Sequence, residues 1–249
     1  MDLVLAGTTA LVTGGSRGIG KAIARAFLDE GASVAICARG EAALLAARDE
    51  LGPDRVQALV ADIGSIEGVE GLVAQARERL GPIDTVVANA TAAAEGSSEH
   101  DYSDSFGVDL MQAVRLTEAI RLGQSGHAFS VVCIGSIEAM TASSPYHAYS
   151  VMKAALGVWA RNAAVALGPS GIRVNAVCPG AVMFEGGWWD QVRLDDPAAF
   201  DAHVARMPGG RMGRPEEIAD VVVFLASARA SWVSGASVVV DGAEHGTIP

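Results

Sequence analysis

Residues Thr13–Gly20 read TGGSRGIG and complete the apolar run that begins at Thr9. The glycines at positions 14, 18 and 20 let the backbone turn tightly, approach a bound group and seat the next segment close to the strand. That next segment, Gly18–Glu30, has helical spacing. A glycine-rich turn between a first strand and a helix is typical of a dinucleotide site, because the positive end of the helix faces the pyrophosphate.

Short apolar runs rich in β-branched residues alternate with helical segments along the rest of the chain. Strands separated by helices of about ten residues or more imply right-handed crossovers. We therefore predict an α/β fold, a Rossmann-type doubly wound parallel sheet with helices on both faces, in a single domain spanning 1–249. The predicted strands are Thr9–Gly14, Ser33–Ala38, Val56–Ala61, Thr85–Ala90, Ala128–Gly135, Ile172–Gly180 and the run ASVVVDG; the predicted helices are Gly18–Glu30, Glu41–Leu51, Ile66–Leu80, Asp101–Leu122 and Ala148–Leu167.

Composition narrows the classes of partner. The chain has 249 residues, is 50% hydrophobic and carries a formal charge of −11, which argues against a nucleic-acid partner. Its apolar runs are too short to span a bilayer, and the start MDLVLAGTT lacks a positive region, so we predict a cytoplasmic protein with no membrane partner. Three cysteines without a CxxC pair predict buried thiols and no metal site.

Tyr149, Lys153 and Ser136 form a candidate reactive group. Tyr149 and Lys153 are four residues apart in a predicted helix and therefore share one of its faces, while Ser136 ends the fifth apolar run. Taken separately, the serine could cap a turn and the tyrosine could be a half-buried packing residue. Their occurrence together, downstream of a nucleotide loop, indicates catalysis.

Six motifs in register resemble the short-chain dehydrogenase/reductase family, and most closely its 3-oxoacyl-acyl-carrier-protein reductase type. The resemblance runs from about residue 6 to the C-terminal VSGASVVVDG. It is carried by TGGSRGIG, Asp62 in VADI, Asn89 in VVANA, Ser136, Tyr149 with Lys153, and NAVCPG at Asn175–Gly180. The family implies that Tyr149 exchanges a proton with a carbonyl or alcohol oxygen, that Ser136 holds this oxygen, and that Lys153 binds the nicotinamide ribose. It also implies a homotetramer in which the helices at 101–122 and 148–167 pair between subunits.

Tyr149 needs help from its surroundings to exchange a proton near neutral pH. A free tyrosine has a pKa of about 10, and a lysine ammonium with a nicotinamide cation nearby is expected to lower it. Tyr149 would then donate its proton during reduction and accept one during oxidation.

Cofactor preference is indicated after the second strand. Sites for NAD usually place a carboxylate there, to accept a hydrogen bond from the ribose 2′-hydroxyl. This chain has Arg39 instead, and Arg17 lies inside the glycine loop. Because a guanidinium binds a 2′-phosphate well, NADP(H) is favoured, with NAD(H) as the alternative if both arginines are only solvated surface charges.

The resemblance assigns further cofactor contacts along the chain. Asp62 corresponds to a residue that bonds the adenine, although it could instead cap the helix that follows DIGS. The complete predicted set is Gly14, Ser16, Arg17, Gly18, Ile19, Gly20, Arg39, Asp62, Ile63, Asn89, Tyr149, Lys153, Pro179, Gly180 and Val182.

Three positions depart from the family pattern. Asp109, which we group with the catalytic residues, replaces an asparagine whose backbone holds a water on a proton relay. Because the main chain carries much of that role, an aspartate can keep the geometry, but its carboxylate would also change the titration near Lys153. Thr91 replaces a glycine, so its loop must follow a different path or crowd the cofactor. Phe184 replaces a threonine that contacts the carboxamide, which shifts that contact to the backbone at Val182.

Residues 181–213 are predicted to form a substrate lid. Long segments with aromatic residues beside a cleft are often functional. Phe184, Trp188 and Trp189 could wall an apolar pocket, or the tryptophans could pack against the domain or a neighbouring subunit. Glu138 and His147 are further candidates for contact with a small-molecule substrate.

These features predict an NADP-dependent oxidoreductase that interconverts a carbonyl and a secondary alcohol. Two alternatives remain from the residues alone. One is an NAD-linked alcohol dehydrogenase that uses the same side chains, and the other is a catalytically silent nucleotide-binding protein of the same fold.

Overall fold

A computed structural model describes residues 2–94, 96–141 and 147–245. Within these residues, seven parallel strands form one sheet in the order β3-β2-β1-β4-β5-β6-β7. The strands are β1 Thr9–Thr13, β2 Ser33–Ala38, β3 Val56–Val60, β4 Thr85–Ala88, β5 Ser130–Ile134, β6 Arg173–Pro179 and β7 Ser237–Val240. The predicted doubly wound α/β fold is confirmed. The order reverses between β1 and β4, and this switch point is where such sheets bind ligands.

The helices lie in two layers, one on each face of the sheet. They are α1 Gly18–Asp29, α2 Glu41–Leu51, α3 Ile66–Leu80, α4 Glu99–Ser105, α5 Met111–Gly123, α6 Ala148–Leu167, α7 Trp188–Asp195, α8 Pro197–Val204 and α9 Pro215–Ala226. α1, α2 and α9 share one buried cluster with alternate strand residues, and α3, α5 and α6 share the other. Neighbouring strand positions such as Leu11 and Val12 therefore point to opposite layers, which explains why the strands read as continuous apolar runs.

The predicted helix 101–122 is wrong as a single element. α4 ends at Ser105, Phe106–Leu110 form a π-helical turn, and α5 begins at Met111. π turns are frequent at functional sites because they locally interrupt the regular helical ladder. Here the turn includes Asp109, whose side chain is fully buried beside α6.

α9 is a helix that the sequence reasoning did not assign. It begins with Pro215, a favoured first helical residue, and packs against α1. The apolar run 221–226 is buried here as one side of a helix and does not form a strand.

All three cysteines are buried and free. Burial raises the pKa of the Cys37 and Cys133 thiols to about 12. Such thiols stay protonated and unreactive near neutral pH, as predicted for structural cysteines. Across the described ranges, no helix combines the length and apolar character that a membrane span requires.

Candidate active site

The glycine loop joins β1 to α1 at the sheet's switch point. Gly15 donates its backbone N–H to the Cys37 carbonyl at 3.1 Å, which seats the loop on β2. Gly14 and Gly18 have φ of +64° and +54°, in the left-handed region that favours glycine. A Cβ on Gly20 would overlap the Gly14 carbonyl oxygen, so the first turn of α1 lies directly against the loop.

The N-terminus of α1 carries no capping side chain. Arg17 occupies the cap position, but no side chain caps the helix and its first turn contains no acidic residue. The positive end of the helix dipole is therefore not neutralised by the protein. Ser16 lies in the loop itself, and Gly18, Ile19 and Gly20 begin the helix, so the predicted pyrophosphate contacts lie together.

The two arginines expected near the adenosine end differ in their contacts. Arg17 is exposed and donates to the Gly186 carbonyl at 2.6 Å, which ties the glycine loop to the lid segment. Arg39 follows β2 directly, is exposed, and makes no hydrogen bond or ion pair with any residue that the structure describes. Because strands β1 and β2 pair in parallel with Thr13 opposite Cys37, Arg39 lies at the same sheet edge as the glycine loop.

Asp62 does not cap α3. Its Oδ1 accepts from the Gly64 N–H at 3.0 Å, whereas the Ser65 side chain caps the helix by accepting from Gly68. The alternative interpretation of Asp62 as a helix cap is therefore wrong. Asp62 is exposed at the end of β3 and the neighbouring Ile63 is buried, which leaves the carboxylate available to a ligand.

Asn89 holds the glycine loop through side-chain hydrogen bonds. Its Nδ2 donates to the carbonyl oxygens of Thr13 and Gly14 at 2.7 and 3.3 Å. Sequence reasoning placed Asn89 against the cofactor, but in the structure its amide hydrogens are used by the loop. Any influence of this side chain on a bound nucleotide therefore passes through the position of the glycines.

A buried polar network behind Asn89 was not foreseen from the sequence. Thr13 donates its hydroxyl to Gln112 Oε1 at 2.8 Å and accepts from the Asn89 and Ala90 N–H groups. Gln112 Nε2 donates in turn to the Ala90 carbonyl. Gln112 is one of several polar residues in α5, which reads MQAVRLTEAIRLG, so by sequence alone it resembles an ordinary surface position.

Ser136, Tyr149 and Lys153 meet at the carboxyl end of β5. Ser136 lies close enough to the Tyr149 side chain for its hydroxyl to lower the pKa of the phenol, and it accepts from the Glu138 N–H at 3.1 Å. Lys153 Nζ donates to the Ile134 carbonyl at 2.9 Å and lies 5.4 Å from the centroid of the Tyr149 ring. The serine therefore serves as a turn cap and as a partner of the tyrosine at the same time.

The pKa of Tyr149 is raised, contrary to the expected direction. Burial of the ring is the largest cause, and the Asp109 and Glu138 carboxylates add to the increase. Lys153 and the hydrogen bond from Ser136 lower this pKa as expected, but their effect is smaller. The expectation considered only the cation, whereas in the folded chain the removal of water from the phenol dominates.

Asp109 and Lys153 form a buried ion pair. Asp109 Oδ1 lies 3.3 Å from Lys153 Nζ, and the two residues are 0% and 2% exposed. The second oxygen, Oδ2, accepts from the Ser105 hydroxyl at 2.7 Å. Asp109 thus contacts the lysine through its side chain, whereas the family resemblance assigned the role at this position to the backbone.

Glu138 and His147 lie next to the tyrosine. His147 Nε2 is 3.0 Å from Glu138 Oε2, and the imidazole and phenol ring centroids are 6.3 Å apart. His147 also caps α6, because its Nδ1 accepts from the Ser150 N–H at 3.4 Å. Because Nδ1 is used by the cap, Nε2 is the ring nitrogen that faces the carboxylate.

The lid segment packs mainly on itself and on the C-terminal residues. Trp189 stacks on His203 with ring centroids 4.1 Å apart and lies in a small cluster with Met207 and Met212. Trp188 packs edge-on against Trp189 but is 53% exposed. Trp189 therefore packs within the segment 181–213 itself, and Trp188 does not wall an enclosed pocket here.

Phe184 faces the glycine loop. A Cβ added to Gly18 would come within 2.6 Å of the Phe184 ring, so the phenyl group covers the beginning of α1. The sequence analysis assigned Phe184 to the substrate pocket, but in the structure its ring lies beside the predicted pyrophosphate contacts. The neighbouring Val182 forms a β-bridge with Gly213, which fixes the backbone after Pro179 and Gly180.

Comparison with known proteins identifies the family. A family model described as enoyl-(acyl carrier protein) reductase, a short-chain dehydrogenase/reductase model, matches residues 14–244. Isoepoxydon dehydrogenase of Aspergillus clavatus is 36% identical over 97% of this chain and 96% of its own. The chain belongs to the short-chain dehydrogenase/reductase family.

Two further members of the family give a coarse activity. L-rhamnose 1-dehydrogenase (NAD(P)(+)) of Azotobacter vinelandii is 34% identical over 96% of this chain and 97% of its own. The crystal structure of L-sorbose reductase from Gluconobacter frateurii, complexed with NADPH and L-sorbose, superposes with a TM-score of 0.90 at 29% identity and covers 100% of both chains. These likenesses support a carbonyl/alcohol oxidoreductase with a nicotinamide cofactor. They support the 3-oxoacyl-acyl-carrier-protein reductase type only loosely.

The loop at Thr91, one of the positions that depart from the family pattern, has a defined local conformation. Thr91 has an ordinary negative φ, and its hydroxyl accepts from the Ala93 N–H at 3.0 Å. Ala93 instead takes φ of +51°. The left-handed residue in this loop is therefore two positions beyond the threonine.

A link between two parts of the segment 181–213 was also missed from the sequence. Glu244 Oε2 accepts from the Ala181 N–H at 2.7 Å, and its Oε1 lies 3.0 Å from His203 Nε2 in α8. One carboxylate near the C-terminus thus joins the segment after Gly180 to the lid. No sequence pattern connects residues this far apart, so only the fold reveals the contact.

Proposed function

We propose that this protein is an NADP(H)-dependent oxidoreductase that interconverts a carbonyl and a secondary alcohol, with Tyr149 as general acid and base. The observation that carries the proposal is the meeting of Ser136, Tyr149 and Lys153 at the carboxyl end of β5, on the sheet edge where α1 presents its uncapped N-terminus. Family membership supports the same chemistry.

The glycine loop fits a dinucleotide. Its close packing leaves the N–H groups at the start of α1 without a side-chain cap, and these groups with the helix dipole suit a pyrophosphate. Pro179, Gly180 and Val182 would hold the nicotinamide end through backbone groups, and Asp62 with Ile63 would hold the adenine. When bound, the reduced nicotinamide supplies the hydride.

The side chains then move one proton. Ser136 would donate a hydrogen bond to the substrate carbonyl oxygen and hold it next to the Tyr149 hydroxyl. As the carbonyl carbon accepts a hydride and forms a C–H bond, its oxygen takes the phenolic proton and Tyr149 becomes a phenolate. Lys153 stabilises this anion, and a proton from solvent restores the phenol. In the oxidative direction the phenolate takes the proton of the alcohol.

A small polar carbonyl is the substrate class that we favour. Glu138 and His147 place hydrogen-bonding groups beside Tyr149, and two relatives of this chain carry sugar names. The aromatic residues of the lid offer less support for a bulky apolar substrate, because Trp188 is exposed and Phe184 covers Gly18. Oxidation of NADPH should be measured with ketoses, apolar ketones and 3-oxoacyl thioesters. A preference for either of the last two groups would contradict this choice.

Arg39→Asp should exchange the cofactor preference. Arg39 has no partner among the described residues and is free to bind a 2′-phosphate, whereas an aspartate there repels the phosphate and accepts from a 2′-hydroxyl. We expect NADPH binding to weaken by about tenfold or more, with NADH binding unchanged or tighter.

Fluorescence titration of both cofactors measures this change. Arg79→Asp is the matched control. Arg79 is exposed in the last turn of α3, and its replacement by aspartate makes the same change of charge. Equal losses for NADPH and NADH in Arg39→Asp would contradict the NADP assignment and favour an NAD-linked enzyme.

We also propose that the protein assembles as a homotetramer through α5 and α6. Val151, Val158 and Val165 are spaced two helical turns apart along α6 and are 46%, 59% and 78% exposed. Leu122, at the end of α5, is 70% exposed. Apolar stripes of this kind on neighbouring helices are suited to helix pairing between subunits.

Val158→Asp should therefore dissociate the assembly, because it would bury a charge between paired helices. Sedimentation velocity measures the change, and Leu45→Asp, which alters an exposed residue of α2, is the control. A monomeric wild-type protein, or a tetramer unaffected by Val158→Asp, would contradict this interface.

The cytoplasmic location stays a prediction.

A further inference from the structure

The carboxylate of Asp109 is held in one place by two contacts from different elements. It lies in the π-helical turn 106–110, where Oδ2 accepts from the Ser105 hydroxyl at 2.7 Å. Oδ1 has no hydrogen-bond donor among the described residues, and the nearby cation is Lys153, 3.3 Å away. The side chain is 0% exposed, so water does not weaken this interaction.

The same ammonium group faces the catalytic tyrosine. Lys153 Nζ lies 5.4 Å from the Tyr149 ring centroid and is itself anchored to the Ile134 carbonyl at 2.9 Å. A lysine alone at this distance would favour phenolate. With a carboxylate 3.3 Å from the ammonium, the fields of the two charges partly cancel at the tyrosine.

We propose that Asp109 is a positioning residue whose carboxylate, paired with Lys153, opposes the field of that ammonium group at Tyr149, so that the phenol ionises at a higher pH than it would beside an unopposed lysine. This inference rests on the proposed function of Tyr149 as the proton donor, since the phenol is the form that protonates a carbonyl oxygen.

The remaining groups around Tyr149 are consistent with this assignment. The Glu138 carboxylate acts in the same direction as Asp109, and burial of the ring acts in that direction too. His147 is paired with Glu138. Ser136 lowers the pKa of Tyr149 and so acts in the opposite direction to the two carboxylates. The thiols of Cys133 and Cys178, near Lys153, are kept neutral because burial raises their pKa.

Asp109→Asn isolates the charge with little change of shape. The asparagine can direct its carbonyl oxygen to Lys153 and its amide nitrogen to the Ser105 hydroxyl, which can accept a hydrogen bond. Loss of the negative charge leaves Lys153 unopposed. We expect the midpoint of Tyr149 ionisation to fall by about one pH unit.

The midpoint is measured by ultraviolet absorbance of phenolate during a pH titration of the protein without substrate or cofactor. The chain has three tyrosines, so subtraction of Tyr149→Phe titrations isolates one group. Asp49→Asn, on the surface of α2, controls for the change of net charge. A midpoint that is unchanged, raised, or lowered equally in Asp49→Asn would overturn the inference.

Kinetics provide a second measurement. In the oxidative direction, the acidic limb of the profile of kcat/KM against pH should move down by the same amount as the titration midpoint. A limb that stays in place while Asp109→Asn remains active would also overturn the inference. If Asp109→Asn does not fold, Asp109→Ser, which is smaller and neutral, is measured by the same criteria.

The two proposals fail in distinguishable ways. A lowered Tyr149 midpoint with no turnover in any variant would support the charge arrangement and contradict the proposed function. Turnover that depends on Tyr149, together with a midpoint insensitive to Asp109, would support the function and contradict the inference.

Discussion

Tyr149→Phe should reduce kcat/KM for carbonyl reduction by about 10²–10⁴-fold, the range typical of a lost general acid. The substitution removes only the hydroxyl that lies beside Ser136 and carries the transferred proton. The ring remains in place over Lys153, at 5.4 Å from Nζ, so the fold and the cofactor site should be preserved. Binding of NADPH is therefore expected to change little.

Initial rates of NADPH oxidation and a separate NADPH titration measure these two quantities. Tyr102→Phe is the matched control, since Tyr102 lies in α4 and makes no side-chain hydrogen bond with the described residues. A Tyr149→Phe enzyme with wild-type turnover would remove Tyr149 from the mechanism. A wild-type protein that binds NADPH tightly but turns over no carbonyl would favour the catalytically silent alternative.

Gly20→Ala should destabilise the glycine loop and weaken binding of the cofactor. A methyl group at this position would overlap the Gly14 carbonyl and lie 2.5 Å from Asn89 Nδ2, and neither neighbour can move without displacing β1 or β4. Overpacking of this kind costs about 1–3 kcal/mol of the free energy of unfolding. Because α1 must shift away from the loop, we also expect the Kd for NADPH to rise by about tenfold or more.

Chemical denaturation and NADPH titration test this result against Gly71→Ala. Gly71 lies inside α3, and a Cβ there meets no atom within 4 Å. Alanine at Gly71 should therefore stabilise the protein by about 0.5–1 kcal/mol through a better helix propensity. If Gly20→Ala matched Gly71→Ala in stability and in cofactor affinity, the tight contact between the loop and α1 would be refuted.

Local patterns made most of the fold predictable. The bounds of α2, α3, α6 and β2 agree with the predicted segments. Several predicted strands extend one or two residues too far, because the ladder ends before the glycine or asparagine that begins each carboxyl-end loop. The helix at 101–122 was predicted as continuous since its apolar spacing persists through the π turn, whose extra residue leaves no mark on periodicity.

The candidate site was predictable where it follows from motifs. The glycine loop, Ser136 and the pair Tyr149 and Lys153 were identified from residue type and spacing, and the structure brings the last three together. The roles of Asn89 and Phe184 differed from expectation. Both depend on which atoms lie across the loop from them, and spacing along the chain does not specify this.

The sequence by itself determined the family, the parallel sheet and the residues that carry the proposed chemistry, because each follows from short-range spacing and strand-helix alternation. Only the tertiary structure decided the electrostatics of the site. Asp109 comes from a π turn, Lys153 from α6 and Glu138 from the segment after β5, and their effects on Tyr149 depend on distances and on burial. These are properties of the packed interior, where removal of water sets the strength and even the net sign of the shift.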